Sequence, residues 1–281
     1  MFELKLHEIT SILPLLVGIK QKVLPYAICE GFTPGRVLVD RREDPQTALI
    51  WTAMGYFCLA GEPTKARNLP NISRVLTETF IPALHATGEI GLILITSTEA
   101  WKEYLPSLLP GRKVIEIYRR TFTFDPSRFS ARGNWRSHIP PGFCLQPVDA
   151  VLAKQAGALA GWASFDDFLT NGIGFALLEG DKLASICTSA FTSRESVEIE
   201  IHTSEDYRRR GFAMLTASAL IEKCLSSGKQ PNWECFWDNE PSTALAGKLG
   251  FSPLQDYPVY YWKEKCIATT TGTAEAAQDI K

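Results

Sequence analysis

Residues 198–225 read EIEIHTSEDYRRRGFAMLTASALIEKCL and hold the densest chemistry in the chain. Glu198 and Glu200 alternate with Ile199 and Ile201, the pattern of a strand with one polar face. A carboxylate so placed can take a proton from an amine, directly or through water, as can His202. The alternation is equally that of an ordinary half-buried strand. Arg208, Arg209 and Arg210 follow, then Gly211, Phe212 and Ala213. Met214, Ala217, Ile221 and Cys224 then recur at helical spacing up to Gly228. A helix start leaves four backbone N–H groups without intrahelical acceptors. The aligned peptide dipoles add about half a positive charge there. A strand-to-helix turn can therefore wrap N–H groups around a diphosphate. Gly211 permits close approach, Ala213 avoids crowding, and the arginines add charge and donors.

The elements that must position this turn are legible on both sides of it. Residues 143–148 read as a strand, with a helix from about 149. SFDDFLTNG predicts a helix with Ser164 as N-cap, Asp166 and Asp167 in its first turn, and Gly172 as its stop. GFALLEGDKLASICTSAF predicts two strands around Gly180-Asp181, and SVEIEIHT a third. QPNWECFW is expected as one strand, EPSTALAGKLG as a short helix capped by Asn239 and stopped at Gly250, and FSPLQDYPVYYWKEK as the last strands.

Residues 123–143 are rich in Pro, Gly, Ser and Arg and lack apolar periodicity. The expected division is an N-terminal α/β domain at 1–130, a linker at 131–141, a second domain at 142–265 and a flexible tail at 266–281. In the first domain, residues 91–124 run strand, helix, strand after a longer helix at 71–86. Residues 231–262 repeat that order, so the first domain reads either as a diverged copy of the second or as an unrelated α/β domain. The first 20 residues are expected to form an amphipathic helix.

The chain has 281 residues, of which 45% are hydrophobic, enough for two cores of ordinary size. Lys+Arg number 29 against Asp+Glu 31, a balance that argues against a nucleic-acid partner. No apolar run approaches the roughly 20 residues of a membrane span. The seven cysteines form no CxxC pair and there are only four histidines, so no metal site is expected. Free cysteines within apolar runs suit a reducing cytoplasm.

Arg208-x-x-Gly211-x-Ala213, after a strand and opening a helix, resembles the Q/R-x-x-G-x-G/A motif of the GCN5-related N-acetyltransferases (GNAT). DNEPSTALAGKLGF resembles the family's second cofactor segment, N-x-x-(A/S)…K-L-G-F, with Asn239, Ser242, Lys248, Leu249, Gly250 and Phe251 in place. The wider pattern is similar to the branch that includes zwittermicin A resistance acetyltransferases. The resemblance covers the C-terminal half. It implies an α+β chain whose C-terminal GNAT fold is a mixed, largely antiparallel sheet flanked by helices. It implies acetyl-CoA (coenzyme A) held by Ile201, Thr203, Arg208, Arg209, Arg210, Gly211, Phe212, Ala213, Asn239 and Ser242. It also implies direct transfer to a small-molecule primary amine, antibiotic or amino-acid-like, with Glu198 as the preferred base and Glu200 as second choice. Where many members carry a tyrosine to protonate the leaving thiolate, this chain has Ala246; Tyr257, Tyr260, Tyr261 or water are the candidate replacements. The expected protein is a cytoplasmic monomer or homodimer without nucleic-acid or membrane partners. A non-catalytic CoA-binding or sensor module is the alternative.

Overall fold

The computed structural model describes residues 1–52, 54–63, 69–86, 91–131, 133–156 and 161–264. The tail expected at 266–281 lies outside these residues. Thirteen strands are found among the described residues. They are β1 (Phe2–Glu3), β2 (Arg36–Val39), β3 (Thr47–Trp51), β4 (Tyr56–Gly61), β5 (Gly91–Thr96), β6 (Ile115–Phe124), β7 (Phe143–Pro147), β8 (Gly174–Glu179), β9 (Lys182–Thr192), β10 (Ser196–Thr203), β11 (Gln230–Asn232), β12 (Glu234–Phe236) and β13 (Phe251–Lys263). The α-helices are α1 (Leu24–Cys29), α2 (Leu69–Arg74), α3 (Ile81–Ala86), α4 (Leu105–Leu108), α5 (Pro126–Ser130), α6 (Ala150–Ala156), α7 (Phe165–Asn171), α8 (Phe212–Ser226) and α9 (Glu240–Lys248). A π-helical segment, Val75–Phe80, makes α2 and α3 one run.

One sheet has the order β1-β2-β3-β4-β5-β13-β6-β12 and the other β11-β10-β9-β8-β7. The sheets therefore do not part at residues 131–141. Strands β12 and β13, from beyond that segment, return to pair with β5 and β6 from before it. The segment itself is anchored by Trp135, buried against Tyr207, Phe212 and Leu215.

Each half is built on a parallel strand pair joined by a helical crossover. In the first half β4 pairs parallel with β5, and the crossover is the α2–α3 run. In the second half β10 pairs parallel with β11, and the crossover is α8. A short helix follows each pair, α4 and α9. The two halves thus share one order of elements: parallel pair, helical crossover, short helix.

Local chemistry accounts for the helix ends near the site. Ser164 caps α7 by accepting from the Asp167 N–H at 3.1 Å, and Asn239 caps α9 by accepting from the Ser242 N–H at 3.1 Å. Helix α8 closes on Gly228 at φ +71°, with Lys229 N–H returning to the Cys224 carbonyl at 2.9 Å. Ala217, Ile221 and Cys224 bury against Val197 and Ile199 of β10, seating the helix on one face of the strand.

Three local expectations are corrected. Residues 1–20 form β1 and a 3-10 helix, Leu6–Gly18, instead of an amphipathic α-helix; Pro14 lies inside it and has no N–H to donate. QPNWECFW is two strands in different sheets, parted at buried Trp233. The last segment is a single strand, β13, with a register irregularity between Pro253 and Gln255.

Candidate active site

Strands β10 and β11 pair for three residues, ending at Glu198 opposite Asn232. Beyond that point β12 leaves to pair with β6 in the other sheet. Among the described residues, strand β10 runs on to Thr203 with a neighbour on one side only, β9. The parallel pair therefore splays open from residue 198 onward. The Ser204 N–H donates to the Ala184 carbonyl of β9, so strand alternation turns the backbone groups of Ile201 and Thr203 to the free edge.

The free edge leads into the arginine turn. Arg209 and Gly211 both have positive φ, +62° and +82°. Among the described residues, no acceptor is found for the N–H groups of Arg209, Arg210, Gly211, Phe212 or Ala213. A Cβ on Gly211 would meet no atom within 4 Å, so the space before the helix start is open. The turn is held from beneath. Phe212 is buried beside Phe143 (ring centroids 4.7 Å apart) and Tyr207 (6.1 Å). The Arg210 guanidinium lies over Phe212, Tyr207 and Phe143 at 4.7, 5.5 and 5.4 Å from their centroids. The Arg208 Nε donates to the Thr203 carbonyl at 3.3 Å, and its guanidinium lies 3.5 Å from Glu205. Arg209 is exposed, with its side chain in no bond found among the described residues. A row of free N–H groups at the start of a 15-residue helix, open space before it and three exposed arginines form a donor set that fits a diphosphate.

Glu198 sits at the apex of the splay and is only 6% exposed. Its Oε2 accepts from Asn232 Nδ2 at 2.6 Å and from Gln21 Nε2 at 3.2 Å. Its Oε1 takes no hydrogen bond among the described residues. Burial pushes the Glu198 carboxyl well above the usual range, and the charge of Glu234 adds to this; the Asn232 hydrogen bond and Arg119 oppose it. Glu234 ion-pairs with Arg119 and accepts from the Tyr257 hydroxyl at 2.8 Å. Its Oε2 is buried and without a partner among the described residues. Arg119, although burial opposes its charge, is pushed up by the adjoining Glu234. Glu200, two residues on, is exposed by surface area, yet the protein around it raises its carboxyl, with His202 opposing.

The other predicted residues fall as follows. The Asn239 side chain is engaged as the α9 cap, and Ser242 Oγ accepts from Trp233 Nε1 at 3.0 Å. Ala246 lies wholly buried in the core with Leu249 and Phe251, not at the splay. Tyr257 is tied to Glu234, and burial raises its hydroxyl. Tyr260 lies in the core of the eight-stranded sheet, raised by burial to about 12. Trp237, just after β12, is 52% exposed. Sequence reasoning missed Gln21, Arg119, Asn232 and Glu234; the first two lie in the other half of the chain, and no short-range pattern marks them.

The N-terminal pair β4 and β5 shows no such splay. Ser97 N–H donates to the Leu59 carbonyl at 2.9 Å, while Ser97 Oγ and Trp101 Nε1 donate to the Gly61 carbonyl at 3.0 and 2.9 Å. The strand ends are sealed. A cavity of about 270 Å³ beside them, lined by Leu15, Gln46, Glu62 and Thr98 among others, belongs to this closed half and not to the site around Glu198. Among the described residues no cluster of His, Cys, Asp or Glu could hold a metal ion, and no helix is long and apolar enough to cross a membrane.

A splayed parallel pair, a carboxylate at its apex and an anion-ready helix start form the framework of a GNAT-fold acetyltransferase. The chain belongs to the GNAT acetyltransferase family, whose model matches residues 13–260. It is 29% identical over 242 residues to the uncharacterized N-acetyltransferase YdfB of Bacillus subtilis (strain 168), covering 84% of this chain and 88% of that protein. Its fold is that of a GCN5-related N-acetyltransferase-like protein from Streptococcus suis 89/1591, with TM-score 0.70, 23% identity and coverage of 92% and 99% of the two chains. It is also that of a tandem GNAT protein from the clavulanic acid biosynthesis pathway, with TM-score 0.60, 13% identity and coverage of 92% and 94%.

Proposed function

We propose that the chain is an acetyl-CoA-dependent N-acetyltransferase that acts on a primary amine of a small molecule by direct transfer in a ternary complex. The observation that carries this reading is the continuity of residues 198–213: a buried carboxylate, a free strand edge and a row of free N–H groups follow one another along a single stretch of backbone. When bound, acetyl-CoA supplies the thioester carbonyl that an amine attacks. The turn from Arg208 to Ala213 grips the diphosphate by backbone N–H groups and arginine charge. The free-edge groups of Ile201 and Thr203 hold the amide-bearing arm. An N–H on this edge also offers preorganised stabilisation to the oxygen on which charge develops.

Glu198 receives the proton of the incoming amine at Oε1. An alkyl ammonium titrates near ~10.4, so a base with a raised affinity for protons suits the task. Departure of the thiolate needs no tyrosine at position 246, since a thiol titrates near ~8.5. The similarity to zwittermicin A resistance acetyltransferases makes aminated natural products the first acceptors to try.

The test begins with calorimetric titration of acetyl-CoA into the wild type and Arg210→Glu/Gly211→Glu. Saturable binding that the double variant loses is expected. Release of free CoA with a panel of primary amines then reads turnover, and Glu198→Gln should lower it without weakening cofactor binding. Binding with no turnover by any amine would favour a CoA-binding module without catalysis.

A further inference from the structure

We propose that Gln21, from the N-terminal half, is a positioning residue for Glu198, so that the transfer site is completed by the half whose own strand pair is sealed. The inference rests on the reading of Glu198 as proton acceptor.

The Gln21 side chain is fixed in one orientation by its own neighbourhood. Its Oε1 accepts from the N–H groups of Val23 and Leu24 at 2.9 and 2.7 Å, at the start of α1. The amide nitrogen must therefore face the other way, toward Glu198 Oε2, 177 residues distant in sequence. Gln21 is buried at 4% exposure, next to Ile19, Val23 and Leu24 of an apolar core. A polar side chain is costly there unless its groups are bonded. Capping α1 requires only an acceptor; among the described residues, the donor half of the amide goes to Glu198.

Gln21 and Asn232 converge on the same carboxylate oxygen. This fixes the plane of the carboxyl and leaves Oε1 as the atom open to a proton. The Asn232 bond favours the ionised form, against burial and against the charge of Glu234 on β12; an N–H donated by Gln21 to the same oxygen acts in the same direction. The other titratable groups facing Glu198 are Arg119 on β6, Glu200 on β10, Tyr56 on β4 and Tyr257 on β13. Gln21, unlike these groups, is a neutral donor in direct contact, so its removal changes the proton affinity of Glu198 without adding or removing a charge.

The experiment uses the full chain labelled with ¹³C at glutamate side-chain carboxyls, with the Glu198 resonance identified by its loss in Glu198→Gln. Gln21→Met removes the donor. Gln21→Glu keeps an acceptor for the α1 N–H groups, protecting the fold, but sets a second carboxyl against Glu198. The Glu198 titration should move up by about one pH unit in Gln21→Met and further in Gln21→Glu. The acid limb of kcat/KM for the best amine of the panel should move in step. An unmoved titration in both folded variants overturns the role of Gln21 and leaves the function intact. Full turnover by Glu198→Gln overturns it together with the reading on which it rests.

Discussion

Gly211 and Gly250 are two left-handed glycines whose replacement by alanine should separate binding from stability. Gly211 has φ +82° with no atom within 4 Å of an added Cβ. Gly211→Ala therefore carries only the left-handed penalty, about 1–2 kcal/mol. The stiffer unfolded chain offsets about 0.4–1 kcal/mol of this. The net loss is about 1 kcal/mol, or a fall in Tm of about 2–4 °C. Gly250 has φ +94°, and its added Cβ would stand 2.9 Å from the Asp125 carbonyl oxygen and 3.0 Å from the Phe129 nitrogen. Both are backbone atoms at the capped start of α5, and overpacking adds about 1–3 kcal/mol. Gly250→Ala should thus lose about 3 kcal/mol in total. Urea unfolding reads stability, and calorimetry reads acetyl-CoA affinity in the folded protein. The more stable variant, Gly211→Ala, should bind at least about tenfold more weakly, a change of ~1.4 kcal/mol, because its methyl enters the open space before the helix start. The less stable variant, Gly250→Ala, should bind like the wild type. Wild-type affinity in Gly211→Ala would refute the assignment of the turn as the diphosphate cradle.

Four further outcomes are expected. Acetyl-CoA should bind with a stoichiometry of one per chain, because Ser97 and Trp101 seal the N-terminal strand pair; a calorimetric stoichiometry of two would contradict this. Arg119→Met should destabilise by about 3–5 kcal/mol, since it strands the Glu234 carboxylate, and Arg119→Met/Glu234→Met should recover most of that loss in urea melts. Tyr257→Phe removes one donor from Glu234 and should lower stability by about 1–3 kcal/mol in the same assay. Glu198 has a folded pKa raised above its unfolded value, so its contribution to stability is full below the ordinary carboxylate range and lost as pH rises through the folded value. Glu198→Gln should therefore gain on the wild type in stability as pH rises, and a constant difference between the two across pH would count against the buried carboxyl.

The elements of the C-terminal half were legible because each follows from local chemistry: the Ser164 and Asn239 caps, the Gly180 turn, and the alternation and helical period on either side of Arg208. The departure of β12 to another sheet was not legible, since the residue at the break, Trp233, is neither Gly nor Pro and the stretch reads as one continuous strand. The alternation of Glu198 and Glu200 suggested two equivalent positions on a polar face. The structure makes them unequal, because Gln21 and the Arg119–Glu234 pair cover the first and leave the second exposed. Local periodicity reports which face of a strand a residue occupies. It carries no information about which distant segment will lie over that face.

The placement of β13 has a consequence for how the protein is made. The strand lies between β5 and β6, so β6 joins the sheet of β1–β5 through the backbone of residues that emerge about 130 positions later. A ribosome that has delivered the first half has produced a sheet with β5 unpaired along one edge and a β6 with no partner at all. Such edges invite pairing with other chains. The first half must therefore wait for the end of the second before its sheet is complete, a slow closure of high contact order. Chains cut at the segment around residue 135 should accumulate as aggregates, while full-length chains should show protection of β6 amides appearing together with that of β13.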